Sequence, residues 1–164
     1  MYKSLLGSPE AVMMIINSFA ADPSLGIVGP ELLFKSIKGH LNDNLQNIKT
    51  IWGLDNQNTA LPNQWGFFAG SCFWVRPLPL QPLAQVCKGL IYEDDNAKID
   101  GQLAHAIERL IGLYISQADL NAGLVTINDH NNIITITKTT LPKELANEQI
   151  ILSLFRYIQK ELHL

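Results

Sequence analysis

The sequence predicts an α/β domain with a small mixed sheet flanked by helices. Apolar residues recur at helical spacing before and after short β-rich runs, and this alternation is typical of α/β folds. A chain of 164 residues can bury a full hydrophobic core. With 47% hydrophobic and 16% charged residues, its composition is that of a globular protein. We therefore expect residues 1–164 to form a single domain.

Charge, cysteine content and hydropathy narrow the classes of function. A net charge of −3 and a pI near 5.7 give no electrostatic reason to expect nucleic acid as a partner. Cys72 and Cys87 form neither a CxxC pair nor a metal-ligand spacing, which favours reduced thiols in the cytoplasm. No stretch approaches the ~20 apolar residues that span a bilayer. We expect a soluble protein, with peripheral membrane contact left open.

A capped helix and a buried strand are predicted near the start of the chain. Ser8 can cap a helix that begins at Pro9. An apolar stripe continues this helix to about residue 21, through Val12, Ile15, Ile16 and Phe19. The apolar run at residues 25–30 is bounded by glycine and proline, which predicts a core strand. A further helix is predicted within residues 37–51.

The aromatic stretch at residues 65–76 is the most distinctive part of the sequence. Its aromatic residues are separated mainly by small ones, which predicts a central strand over residues 67–75, buried on both faces. Gly70 and Ser71 leave room for a close approach to the backbone. Two interpretations stay open: an ordinary central strand, or a strand whose end lines a ligand cleft.

Another helix, with a clear polar side, follows this stretch. Asp100 is predicted as its N-cap, and its apolar stripe consists of Leu103, Ile107, Leu110, Ile111 and Tyr114. At ~100° per residue, the opposite side carries Gln102, His105, Glu108 and Arg109. His105 and Glu108 lie one turn apart, an arrangement that suits acid–base chemistry or metal ligation. The alternative is an exposed polar face on which Glu108 makes an ion pair.

The remaining segments carry weaker signals. A short helix started by Pro79 is predicted over residues 78–86, with a rigid proline turn as the alternative. The acidic run at residues 92–95 is either a Mg²⁺ or Mn²⁺ site or a solvated loop. Two β-rich runs, at residues 124–128 and 133–137, predict a hairpin with one solvated face. A last helix is predicted over residues 142–162.

Three blocks of sequence occur in a fixed order. The first combines Leu-Leu-Gly-Ser-Pro-Glu at residues 5–10 with Phe-Ala-Ala-Asp-Pro-Ser-Leu-Gly-Ile-Val-Gly-Pro at residues 19–30. The second is Phe-Ala-Gly-Ser-x-Phe-Trp-x-Arg-Pro at residues 68–77, and the third is Asp-Gly-x-Leu-Ala-His-Ala-x-Glu-Arg-Leu at residues 100–110. Over residues 5–117 the chain resembles the rhamnan synthesis protein F family. These are glycosyltransferase-like proteins of bacterial polysaccharide and lipopolysaccharide assembly.

The resemblance implies a function and a set of site residues. It implies transfer of a sugar from a nucleotide donor to a glycan acceptor, with Mg²⁺ or Mn²⁺ as cofactor. Asp100 and Glu108 would be the catalytic base or acceptor contacts, and His105 the metal or phosphate ligand. The residues implied to bind substrate are Trp65, Gly70, Ser71, Trp74, Arg76 and Arg109.

Two features distinguish the chain from a complete enzyme of that kind. In the family a longer nucleotide-binding half comes first, whereas four residues precede Leu5, so the chain resembles the C-terminal part of a GT-A-type domain. The Asp-x-Asp motif with which many such enzymes bind their metal does not occur in the sequence. The alternative is a non-catalytic module that binds a carbohydrate or a partner, with Trp65 and Trp74 stacking on sugar rings.

Overall fold

The computed structural model describes residues 3–55, 60–92, 100–128 and 133–139. Its helices are α1 (Lys3–Leu6), α2 (Pro9–Ala21), α3 (Leu45–Asp55), α4 (Gln81–Cys87) and α5 (Leu103–Gln117). Its strands are β1 (Leu25–Pro30), β2 (Phe34–Ser36), β3 (Gly66–Phe68), β4 (Trp74–Val75), β5 (Asn121–Asn128) and β6 (Ile133–Thr139). Short 3₁₀ turns lie at Glu31–Leu33, Asn42–Asn44 and Leu78–Leu80.

A four-stranded mixed sheet with the order β4-β1-β5-β6 forms the centre of the described fold. β1 runs parallel to β5, whereas β4 and β6 are antiparallel to their neighbours. Every residue of β1 is buried, as expected of a strand covered on both faces. β2 and β3 form a separate antiparallel pair. The predicted α/β class, with a small mixed sheet flanked by helices, is confirmed.

The two faces of the sheet bury different helices. Ile27 of β1 packs in one apolar cluster with Ile115 of α5. The next residue, Val28, packs in another with Leu5 of α1 and Ile15 of α2. Successive side chains of a strand point to opposite faces, so β1 joins these two layers. A third cluster lies between α3, α4 and α5.

The aromatic stretch does not form the single central strand that its composition predicts. Residues 66–68 belong to β3 and residues 74–75 to β4, and these strands lie in different sheets. Between them Gly70 and Ser71 adopt φ angles of 81° and 52°, in the left-handed region that turns the chain. Phe68 is buried, but Trp74 is half-buried on an edge strand. The prediction of a two-sided central strand at residues 67–75 is therefore wrong.

Helix α2 confirms the predicted amino-terminal helix and its cap. Ser8 is the N-cap, and its Oγ accepts a hydrogen bond from the N–H of Ala11 at 3.2 Å. The helix ends at Ala21, as the following Asp-Pro pair predicts. Its buried side is Ala11 and Ile15, whereas Ile16, which was placed on the apolar stripe, is 44% exposed.

Helix α3 begins later than predicted. It starts at Leu45 instead of residue 37, because Gly39 has a φ of 84° that turns the chain and Asn42–Asn44 form a 3₁₀ turn. Its buried residues are Ile48, Ile51 and Trp52. Strand β2 has only three residues, too few to show a period of two in the sequence.

Helix α5 begins at Leu103, and its N-cap is Gln102. The prediction of Asp100 as the cap is wrong. Gly101 has a φ of 84°, a conformation that turns the chain before the helix and leaves Asp100 outside it. The apolar stripe is confirmed at its buried members, Leu103, Leu110 and Tyr114.

Arg109 is the main departure from the predicted polar side of α5. Only 6% of this residue is exposed, because both neighbouring faces of the helix are covered and Ala106 and Leu113 are buried beside it. The predicted phase of the helix is only partly correct, because Ile107 and Ile111 of the predicted stripe are half-buried and the buried side is rotated toward Ala106, Arg109 and Leu113. The prediction that Arg109 faces solvent is therefore wrong.

The carboxyl-terminal part of the described chain is a hairpin, as predicted. β5 and β6 pair antiparallel, with Val125 opposite Ile136 and Thr126 opposite Thr135. The predicted helix at residues 142–162 and residues 93–95 of the acidic run lie outside the described ranges. Cys72 and Cys87 are both free and half-buried. Within the described ranges, no helix is long and apolar enough to cross a membrane.

Gly112 sets the distance between α5 and β3. A Cβ atom at this position would overlap the carbonyl oxygen of Gly66 and crowd the backbone of Phe67. Both partners are backbone atoms, so neither can move aside by changing rotamer. The absence of a side chain at Gly112 is therefore what lets the helix lie against the strand.

Gly112→Ala is expected to destabilise the protein by about 1–3 kcal/mol, because overpacking at a backbone contact forces the helix away from β3. Gly53→Ala is the matched control in helix α3, where an added Cβ meets no atom within 4 Å. That change should be neutral or stabilise by up to about 1 kcal/mol, since alanine favours helices over glycine. Urea unfolding of both variants measures the effect, and equal stabilities would contradict the close approach.

Candidate functional site

Arg109 is the centre of a buried polar cluster on the first half of α5. Its Nε donates to the carbonyl oxygen of His40, and its Nη1 to that of His105, both at 2.8 Å. Its Nη2 lies 3.1 Å from each carboxylate oxygen of Asp100. The guanidinium also lies 5.2 Å from the ring centroid of Phe67, a cation–π distance. Arg109 therefore joins α5 to the loop before α3 and to β3.

Asp100 is held in place by two partners from distant parts of the chain. Besides the contact with Arg109, its Oδ1 accepts a hydrogen bond from Nδ2 of Asn44 at 2.7 Å. Asn44 is completely buried, and its Oδ1 has no hydrogen-bond partner in the described structure. A flipped amide would place Oδ1 against the carboxylate, so the orientation with Nδ2 toward Asp100 is the favourable one.

The surroundings of Asp100 keep its carboxylate ionised. Partial burial raises the pKa of Asp100, but hydrogen bonds from Asn44 and from the N–H of Gly101 lower it. The charge of Arg109 acts in the same direction, and the net pKa lies below the ordinary value of 3.8. A paired carboxylate with a lowered pKa is a poor general base. The geometry therefore favours a structural role for Asp100 over the catalytic role that the resemblance implies.

His105 takes part in the cap of α5. Its Nδ1 accepts a hydrogen bond from the backbone N–H of Gln102 at 3.3 Å, within a capping box. The same nitrogen lies 4.0 Å from Oδ1 of Asp100. This arrangement leaves Nε2 as the nitrogen of His105 that could face a ligand. Within the described ranges, no group of three or more histidine, cysteine, aspartate or glutamate side chains could hold a metal ion.

Glu108 connects α5 to the turn between β3 and β4. The hydroxyl of Ser71 donates to its Oε2 at 3.1 Å, and Nη1 of Arg109 lies 3.9 Å from its Oε1. The side chain of Glu108 is 13% exposed, whereas Ser71 and Gly70 are exposed. Ser71 holds a positive φ without being glycine, and such strained residues often occur at functional sites. Glu108 is therefore a carboxylate that a ligand could approach from the Ser71 side.

The remaining predicted substrate-binding residues do not gather at this carboxylate. Trp65 is 1% exposed, and its Nε1 donates to the backbone oxygen of Arg109 at 2.8 Å, so its ring has no free face for a sugar. Arg76 donates instead to the backbone oxygens of Phe19, Leu25 and Asp22, where it closes the end of α2. Trp74 packs, half-buried, in the apolar cluster under α2.

Two members of the cluster were not predicted from the sequence. Asn44 lies 56 residues from Asp100, and His40 lies 69 residues from Arg109. His40 contributes a backbone oxygen, which no side-chain pattern can reveal. The side chain of Asn44 has no local sequence signal either, because its burial is visible only in the folded structure.

Comparison with known proteins gives matches to the same protein from two bacterial strains. The chain is similar to WxcX. This is an uncharacterised protein of Xanthomonas campestris pv. campestris, and the versions from two strains are each 36% identical over 152 residues. The match covers 90% of the chain, which spans about a fifth of the length of these relatives (21%). No family model matches the chain, and no solved structure does.

Asp100→Asn is expected to lower the free energy of unfolding at pH 7 by about 1–3 kcal/mol, because it leaves the buried Arg109 without its counter-charge. The pKa of Asp100 is lower in the folded than in the unfolded protein, so this stabilisation is fully present at pH values above the unfolded pKa. It disappears as the pH falls through the folded pKa. Urea unfolding between pH 7 and pH 3 should show the two proteins converging in acid.

The control for this series is Asp119→Asn, at an exposed residue with a φ of 54° that asparagine tolerates. We expect it to stay within about 0.5 kcal/mol of the unsubstituted protein at pH 7. A constant difference between Asp100→Asn and the unsubstituted protein at every pH would contradict the assigned ion pair.

Proposed function

We propose that the chain is a glycosyltransferase-like domain of bacterial cell-surface polysaccharide synthesis, acting on a rhamnan or lipopolysaccharide. One observation carries this proposal. Two of the three sequence blocks that resemble the rhamnan synthesis proteins, at residues 68–77 and 100–110, meet through the hydrogen bond from Ser71 to Glu108. Two motifs about 30 residues apart that share one contact are what a common site requires.

Glu108 is the proposed catalytic residue. Its Oε2 already accepts a hydrogen bond from one hydroxyl, that of Ser71, and a sugar hydroxyl offers the same chemistry. In the transfer, the acceptor oxygen forms a bond to the anomeric carbon of the donor, and the bond from that carbon to the nucleoside diphosphate breaks. The acceptor proton passes to Glu108 as general base. The negative charge leaves with the diphosphate.

The chain's own residues support the acceptor side of such a reaction better than the donor side. Arg109 is engaged with Asp100 and two backbone oxygens, so its charge is not directed at a leaving group. The described ranges contain no metal-binding group of residues, and we assign no step to Mg²⁺ or Mn²⁺. We therefore propose that the chain contacts the donor mainly through its sugar, whose hydroxyls lie within reach of Glu108 in the complex, and that further groups hold the diphosphate.

A second candidate is a non-catalytic module that binds a carbohydrate or a partner. The observation that favours it is the pairing of Asp100 with the buried Arg109, which takes one of the two implied catalytic carboxylates out of use. The two candidates differ in whether a nucleotide sugar binds to the chain.

Thermal unfolding with nucleotide sugars tests the proposal. dTDP-rhamnose, UDP-glucose and GDP-mannose are each added, with and without Mg²⁺ or Mn²⁺. A donor at ~100 times its Kd should stabilise the native state by about 2.7 kcal/mol, which raises Tm by roughly 5–10 °C. Glu108→Gln should remove at least half of that shift, because the glutamine amide has one hydrogen-bond-accepting oxygen where the carboxylate has two.

Glu31→Gln is the matched control, since this exposed glutamate lies in the turn after β1. It should leave the shift unchanged. A shift in Tm that Glu108→Gln does not reduce would place the donor site elsewhere and contradict the role of Glu108. No shift with any nucleotide sugar would favour the binding module.

A further inference from the structure

Helix α2 is apolar on nearly all sides. Glu10 is its only charged residue. Its inner side is buried through Ala11 and Ile15, whereas on its outer side Met13 is 52% exposed and Ile16 is 44% exposed. A helix at the surface of a globular protein normally carries charged and polar residues on its outer side, and a helix that is apolar all round is normally buried. We therefore expect a further element to cover α2.

An open groove lies between the first half of α2 and the β5–β6 hairpin. It has a volume of about 610 Å³, and its apolar walls include Met14 of α2, Ile127 of β5 and Ile134 of β6. Ile134 and Ile136 point to the same face of β6, and both pack against the apolar cluster under α2. Both nevertheless stay half-buried, so the described residues leave this part of the sheet face partly uncovered.

The chain leaves β6 beside the carboxyl end of α2. Thr139, the last residue of β6, lies opposite Ala122 at the start of β5. One residue earlier, Nζ of Lys138 donates to Oδ2 of Asp22 at 2.8 Å. Asp22 is the C-cap of α2. The segment that follows Thr139 in the sequence therefore starts next to the end of this helix.

Residues 142–162, which lie outside the described ranges, have the length and the pattern to cover α2. The sequence predicts a helix here, which at a rise of 1.5 Å per residue would be about 31 Å long, against about 20 Å for α2. An amphipathic helix gains most of its stability by burying its apolar side against a partner. The apolar stripe of this segment recurs at helical spacing and consists of Ile151, Leu154, Phe155 and Ile158.

We propose that residues 142–162 pack as a helix on α2 and in the groove beside it, antiparallel to α2. The direction follows from the sheet, because β6 runs toward the carboxyl end of α2 and a helix that returns over the same face runs toward its amino end. In this arrangement the apolar stripe contacts Met13 and Met14 of α2 and Ile134 of β6. The proposal is independent of the proposed function, because α2 and α5 cover opposite faces of the sheet.

Nuclear magnetic resonance of the methionine methyl groups tests this contact. The chain has three methionines, two of them on α2, and Met13→Leu and Met14→Leu assign their signals. A soluble gadolinium chelate broadens the signals of exposed methyl groups. It should broaden both signals at least threefold less in the unsubstituted protein than in Phe155→Asp, which places a charge within the apolar stripe. Ser153→Asp is the matched control and should keep the protection, because residue 153 lies on the opposite side of the predicted helix.

Trp65 packs in the cluster between α3, α4 and α5, so its indole N–H signal checks the fold of each variant away from α2. If this signal moves in Phe155→Asp, Phe155→Ala takes its place, with a smaller loss of protection. Equal broadening in the unsubstituted protein and in the stripe variant would overturn the proposal, and so would an equal loss of protection in Ser153→Asp. Protection that disappears on tenfold dilution would overturn it in favour of a second copy of the chain on α2.

Discussion

The buried guanidinium of Arg109 is the interaction on which the candidate site depends. Arginine stays charged at any pH a protein meets, so a buried one needs a counter-charge and acceptors for its N–H groups. Asp100 supplies the charge, and the backbone oxygens of His40 and His105 supply the acceptors. These partners fix the loop before α3, the chain before α5 and the first turns of α5 relative to one another. Glu108, one residue away, is placed by the same arrangement.

The close approach of helix α5 to strand β3 also keeps Arg109 and Glu108 in place. Gly112 lets α5 lie against β3, and Trp65, next to β3, donates to the backbone oxygen of Arg109. Arg76, the other arginine implied to bind substrate, is also structural: beside edge strand β4 it donates to carbonyl oxygens at and after the end of α2. Both arginines therefore hold elements together, and Glu108 is the carboxylate of this cluster that a ligand could approach, from the side of Ser71.

The parts of the fold with strong local signals could be predicted from the sequence. The Ser8 cap of α2, the buried strand β1 and the β5–β6 hairpin each follow from neighbouring residues. The prediction for the aromatic stretch was wrong because a segment that contributes short strands to two sheets has the same aromatic-rich composition as one buried strand. Its small residues were taken to make room beside the backbone, but at Gly70 they turn it. The cluster around Arg109 could be predicted only in part. Asp100, His105 and Glu108 follow from the helical pattern and its flanking residues, whereas Asn44 and the backbone of His40 reach the cluster over more than 50 residues.

A double-mutant cycle between Arg109 and Asp100 tests the central claim most directly. Arg109→Met, Asp100→Asn and the combined variant are unfolded in urea at pH 7. Removing the carboxylate should cost much less once Arg109 is methionine, because no buried charge is then left unpaired. We predict a coupling energy of at least about 1 kcal/mol, within the range found for residues in direct contact. Additive effects, within about 0.5 kcal/mol, would show that the pair does not hold the site together.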